Sequence, residues 1–189
     1  MKNLKTVVLA VAIAISTTIV AQNKKIDASK STITWVGKKV TGKHSGTLNV
    51  KDGSLVFKKK KLVGGTVNVD MTSIIVTDIP SGKGKEDLEG HLKADDFFGT
   101  ATFPTATIIF KSIGQKSRGV YAITADLTIK GITDSVKFDL ATTPNMASTS
   151  LQIDRTKYGI KYNSGNFFQN LGDKTISDEF ELNVILKFK

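Results

Sequence analysis

Strict two-residue alternation, sustained over long stretches, limits what this chain can fold into. Between residues 119 and 130, Tyr121, Ile123, Ala125, Leu127 and Ile129 are apolar, and Thr124, Asp126, Thr128 and Lys130 stand between them. Residues 176–188 repeat the pattern, with Phe180, Leu182, Val184, Leu186 and Phe188 set against Glu179, Glu181, Asn183 and Lys187. Strand side chains leave alternate faces, so each segment has one apolar and one wet face. The same period runs through Ile33 and Trp35; Ala106, Ile108 and Phe110; Val136, Phe138 and Leu140; and Thr149, Leu151 and Ile153. Val63, Gly65, Val67 and Val69 form another apolar row, opposite Thr66, Asn68 and Asp70. Turn chemistry separates the rows. Asp52-Gly53 reads as a hairpin between Thr47–Lys51 and Ser54–Phe57, and Lys58–Lys61, Lys130-Gly131 and Pro144-Asn145 read as further turns.

About eight antiparallel strands, each with one apolar face, close into a barrel or stack into a sandwich. Segments 119–130 and 176–188 exceed the usual strand length of about 5–6 residues, which favours a tilted barrel. The expected fold is all-β, an antiparallel β-barrel of about eight strands. Its interior is either filled by side chains or holds one small ligand. Outer-membrane barrels reverse the alternation, and the many Lys, Asp and Glu on the wet face favour a soluble barrel.

Residues 1–21 stand apart. Lys2 and Lys5 open the chain, Val7–Ile15 is apolar, and small or polar residues lead to Ala21. That order reads as a secretory signal peptide cleaved before Gln22, too short in its apolar part for a membrane span of roughly 20 residues. Residues 22–189 then make one domain. The location expected is periplasmic or secreted. Losing Lys2 and Lys5 lowers the formal charge from +10 to +8. Export argues against nucleic acid as the basic chain's partner; an anionic head group, an anionic membrane surface or solubility alone remain. With no Cys, there are no disulfides and no thiol chemistry.

The one helical insertion and the densest aromatic stretch adjoin. Lys85–Lys93 reads as a short helix, and Phe97, Phe98, Phe103 and Phe110 follow closely. Pro104 suits the boundary with a strand, since it fixes φ and donates nothing to a ladder. The Phe97–Phe98 pair sits on a connection entering the sheet, where it either plugs the barrel end or lines a cavity mouth.

Catalytic patterns are missing. His44 and His91 have no metal-ligand spacing and read as surface or capping groups. Gly42–Gly46 has the wrong order for a nucleophile elbow, and Gly82–Lys85 the wrong spacing for a phosphate loop. Asp95-Asp96 reads as a cap or turn. The expectation is a protein that is not an enzyme, with neither metal nor cofactor.

Four ordered segments resemble the YceI-like family of exported bacterial proteins, known as polyisoprenoid-binding, lipocalin-like barrels. They are His91–Lys93 with Asp95–Phe98 and Phe103–Thr105; Leu127–Gly131 leading to Val136; Asp154–Ile160; and Ser177–Leu182. Gly64–Ile74 fits the family's middle strand, and the resemblance covers roughly Ile26 to Lys189. Gly99 departs from it, standing where the family commonly has an acidic residue. The resemblance implies a long isoprenoid, a polyprenyl lipid or quinone, inside the barrel. Candidate lining residues are Phe103, Phe110, Leu127, Ile129, Phe138 and Leu140. At the mouth, Phe97, Phe98, Phe167 and Phe168 are expected to gather near Tyr158 and Arg155. Arg155 either meets a head group or pairs with Asp154 or Asp178 to tie its loop down. A stress-related scaffold with a filled barrel is the alternative, and the oligomeric state is open between monomer and homodimer.

Overall fold

The computed structural model describes residues 21–189; the expected signal peptide lies outside the described residues save Ala21. Nine strands form one sheet: β1 (Gln22–Lys25), β2 (Thr32–Lys39), β3 (Gly42–Lys58), β4 (Lys61–Val76), β5 (Thr105–Ser117), β6 (Val120–Ile129), β7 (Ile132–Thr142), β8 (Met146–Asp154) and β9 (Ile176–Lys187). From β2 to β9 each strand pairs antiparallel with the next, and β9 returns to β2. The result is a closed eight-stranded barrel, to which β1 adds along the distal half of β3. Closure leaves the barrel strands no free edge along their paired lengths. The only α-helix among the described residues, α1 (Lys85–Lys93), lies between β4 and β5. Glu86 and Asp87 in its first turn and His91 and Lys93 in its last complement the helix dipole. Glu89 accepts the Val76 amide at 2.8 Å and holds the helix to β4.

The two ends differ. One carries both long connections, residues 77–104 and 155–175, with the short β2–β3 and β6–β7 turns. The other carries three tight turns and the junction where Ile26 bridges Phe188. Buried side chains pack that second end. Leu55, Phe57, Leu62, Tyr121 and Ile123 are buried, and the Leu62 amide donates to the Tyr121 hydroxyl at 3.2 Å.

Two local readings need correction. Asp52-Gly53 is no hairpin, because β3 runs straight through it. The glycine serves close approach instead: a Cβ at Gly53 would sit 2.6 Å from the Thr66 carbonyl. Val63 is 50% exposed and faces outward. The ladder slips between Val56 and Phe57, so Val63 is an extra residue in β4 and the alternation changes parity there. Lys58–Lys61 does turn, with Lys59 and Lys60 both at positive φ as a two-residue hairpin loop requires.

Candidate functional site

Toward the end with the long connections the barrel is hollow. An inner cavity of about 100 Å³ is lined by residues of all eight barrel strands and by Phe98. No charged residue lines it; Thr107 and Thr149 are its only hydroxyl side chains. Ala106, Ile108, Phe110, Leu127, Ile129, Phe138 and Leu140 all face this space. Phe110 and Phe138 meet edge to face at 5.9 Å.

A second cavity of about 220 Å³ lies beneath α1. Leu88, His91, Leu92 and Phe97 cover it, and Trp35, Leu48, Ile74, Phe180 and Leu182 form its floor. Leu48, Phe98, Phe180 and Leu182 border both cavities, so the two spaces adjoin. Phe98 is the partition, edge-on to Phe97 at 5.5 Å and to Phe180 at 6.2 Å. The outer cavity reaches the β2–β9 seam where the ladder is irregular, between Gly37 and Lys39. Lys38, Lys39, His44 and Glu179 make up its polar rim with His91.

Both histidines of the chain thus stand at one mouth, although 47 positions separate them. His44 Nδ1 is 3.0 Å from an Asp78 carboxylate oxygen, and His91 Nε2 is 3.0 Å from one of Asp96. Burial works to raise the Asp78 pKa, but the Ser45 amide and the His44 ring outweigh it and hold the carboxyl below its ordinary range. His91 also meets the rings of Tyr162 at 4.4 Å and Phe97 at 5.4 Å, joining α1 to the 155–175 loop. Among the described residues no three His, Asp or Glu side chains gather as a metal site.

Several mouth candidates serve other purposes. Phe167 and Phe168 are 49% and 50% exposed and line neither cavity. Arg155 is buried: its Nε donates to the Ser177 carbonyl, Nη1 to Ile160, and Nη2 to Ile176 and to Asp178 at 3.4 Å. Its donors tie the loop to β9 and are not presented to a head group. Burial draws its pKa below the ordinary value, while Asp178 and Asp154 oppose that shift. Tyr158 is fully buried and lines neither cavity. Phe103 lies over Gly131 and Gly99 and also stays outside both cavities. Gly99 is a turn residue at φ +55, where a Cβ would meet the Asp95 carboxylate at 3.3 Å. An acidic side chain here would face a like charge, and the left-handed backbone favours glycine. The residues not singled out from sequence, Trp35, Lys38, Lys39 and His91, come together only through barrel closure.

The comparisons agree with this architecture. The crystal structure of Burkholderia cenocepacia BcnA superposes with a TM-score of 0.65 at 21% identity, covering 86% of this chain and 98% of that one. A structure described as a polyisoprenoid binding domain from Saccharophagus degradans gives 0.62 at 15% identity, covering 90% and 98%. Protein YceI of Escherichia coli O157:H7 is 33% identical over 94 residues, 50% of this chain and 46% of that protein. A UPF0312 protein of Shewanella denitrificans is 34% identical over 91 residues, 48% and 45% of the two chains. The chain therefore matches about half the length of these curated relatives. The family model described as the YceI-like domain matches residues 25–188, which is the whole barrel together with the Ile26–Phe188 bridge, and the chain accordingly belongs to the YceI-like family.

Proposed function

We propose that this chain is an exported, non-catalytic carrier that holds the tail of a polyprenyl or quinone-type isoprenoid in its barrel. The observation that carries the reading is the charge-free inner cavity, which adjoins a larger one with a polar rim across the Phe98 ring. The Saccharophagus domain of the same fold, described as polyisoprenoid-binding, supports the ligand class. Volume bounds how much tail fits. A 150 Å³ apolar cavity holds a benzene-sized molecule, so the two spaces take about two isoprene units as they stand. Two units contribute roughly 6–8 kcal/mol gross, at about 0.8 kcal/mol per CH₂. That barely offsets an association penalty of about 4–15 kcal/mol. Tight binding therefore needs more chain, with the Phe98 ring turned aside or the tail leaving through the mouth. The rim at Lys38, Lys39 and His91 then meets the head group, the part Arg155 does not play.

Trp35, the chain's single tryptophan, lines the outer cavity and is a built-in reporter. A ubiquinone entering that cavity quenches indole fluorescence saturably, and native mass spectrometry of protein from its own cell finds an isoprenoid adduct. Absence of both an adduct and saturable quenching would exclude the carrier reading. Export is read separately: N-terminal sequencing is expected to begin at Gln22, and an intact Met1 in cytoplasmic protein would refute it.

A further inference from the structure

Three exposed apolar side chains cluster at the mouth end. Val40, 66% exposed, caps the β2–β3 turn, and its amide donates to the Thr175 carbonyl at 3.1 Å. Phe167 and Phe168 stand on the loop that Thr175 closes, in a tight turn where both amides donate to the Ser164 carbonyl. Ser164 in turn bridges Ile176, the first residue of β9. The tip is thus braced rather than trailing, and its rings still face water. Around it lie Lys38, Lys39, Lys43, Lys161 and Lys174, each more than 4.0 Å from any carboxylate among the described residues. The Lys161 ammonium sits 4.5 Å from the Phe167 ring centre. The same end also carries acidic groups: Asp173 and Glu179, Asp78 and Asp96 beside His44 and His91, and Asp178, which is taken by Arg155 and Asn166.

Apolar tips with a basic collar are the composition of surfaces that settle into an anionic bilayer interface, the rings among the acyl chains and the ammoniums among the phosphates. We infer that this end of the barrel is a docking face for an anionic phospholipid bilayer, with Phe167 and Phe168 inserted and the cavity mouth brought against the membrane. Its purpose rests on the carrier reading; its test does not.

The test is co-sedimentation with vesicles of phosphatidylcholine alone and of an equal mixture with phosphatidylglycerol. All proteins share one N-terminus, so any contribution of residues 1–20 is common to them. The wild type is expected to bind the mixed vesicles at least about tenfold more tightly, and to lose that preference in high salt. Phe167→Ser with Phe168→Ser is expected to weaken binding about a hundredfold. Lys59→Ser with Lys60→Ser, at the opposite end, leaves it unchanged. Should the double Phe variant fail to fold, Lys161→Glu with Lys174→Glu gives the same readout through charge. The lipid content of the purified double Phe variant stays at the wild-type level, which separates docking from retention. No binding by the wild type, or equal binding by wild type and variants, overturns the inference. So does a wild-type dimer that the Phe variants dissolve without any vesicle binding, since a second copy would then be the partner.

Discussion

Truncating Phe98 to alanine is the most informative single change. The ring is buried, separates the two cavities, and touches Phe97 and Phe180 edge to face. A Phe→Ala change in a packed core costs about 3–5 kcal/mol. Two opposing considerations set where this site falls in that range. Part of the ring already faces empty space, so fewer contacts vanish. Against that, two aromatic pairs worth about 0.5–1.5 kcal/mol each are lost. The expected loss is about 3 kcal/mol in delipidated protein. With a short-chain ubiquinone bound, hydrocarbon fills the gap, and the loss falls to about half. The merged space also admits longer tails. Urea unfolding of delipidated and loaded protein, wild type and variant, reads all four stabilities with the slopes checked for equality. Equal losses in both states would mean that Phe98 does not border the ligand space. A loss under about 1 kcal/mol in the empty protein would mean that the ring is no packed partition.

Arg155→Met is expected to cost about 3–5 kcal/mol, because it strands three loop and strand carbonyls and the Asp178 carboxylate. Hydrogen exchange should then rise across residues 155–176 and not in β6 and β7; uniform exchange would refute the loop-tie role. Gly46→Ala places a Cβ 1.8 Å from the Ile75 carbonyl and 2.7 Å from the Trp35 ring, so a melting experiment should report at least about 3 kcal/mol lost. A loss below about 1 kcal/mol would show that β3 and β4 can move apart there. Burial first, then Asp134 and Asp154, pushes the Tyr158 hydroxyl up to about 12. Below the unfolded-state value of about 10 both states keep the proton, and from there to about 12 only the unfolded state releases it. Stability is therefore full below pH 10 and falls by about 2 kcal/mol by pH 12; a tyrosine titration at 295 nm with no late-ionising group would contradict this.

The barrel was legible because alternation is a local property. Leu127, Ile129 and Leu140 could be assigned to the inner face from their neighbours alone, and their burial follows. Exceptions arise where a residue answers to a distant partner. Gly53 carries a turn signal in sequence, yet it is there to let Thr66 come close. Val63 reads in phase with Gly65 until an extra residue shifts the parity. Of the two readings open for Arg155, the loop tie through Asp178 is the one found, and the main-chain carbonyls that take its other donors are partners no side-chain pattern displays. Phe167 and Phe168 were assigned to an apolar mouth on composition, and composition does not say which side of a loop meets water. The rim joins β2, α1 and β9, segments brought together only when the ends of the sheet meet.

That meeting has a kinetic consequence. Every barrel strand pairs with its neighbour in the chain except at one seam, where Thr32 faces Ile185 across about 150 residues. Hairpins of the meander form in microseconds, whereas joining ends so far apart carries a closure entropy of about 4 kcal/mol. Seam formation is thus the slow event of refolding, late and sensitive to anything that preorders β2 against β9. The irregular stretch of that seam borders the outer cavity. On the carrier reading proposed above, a hydrocarbon tail present during refolding would lie where the last pairing must form, and the barrel would shut around it instead of admitting it afterwards.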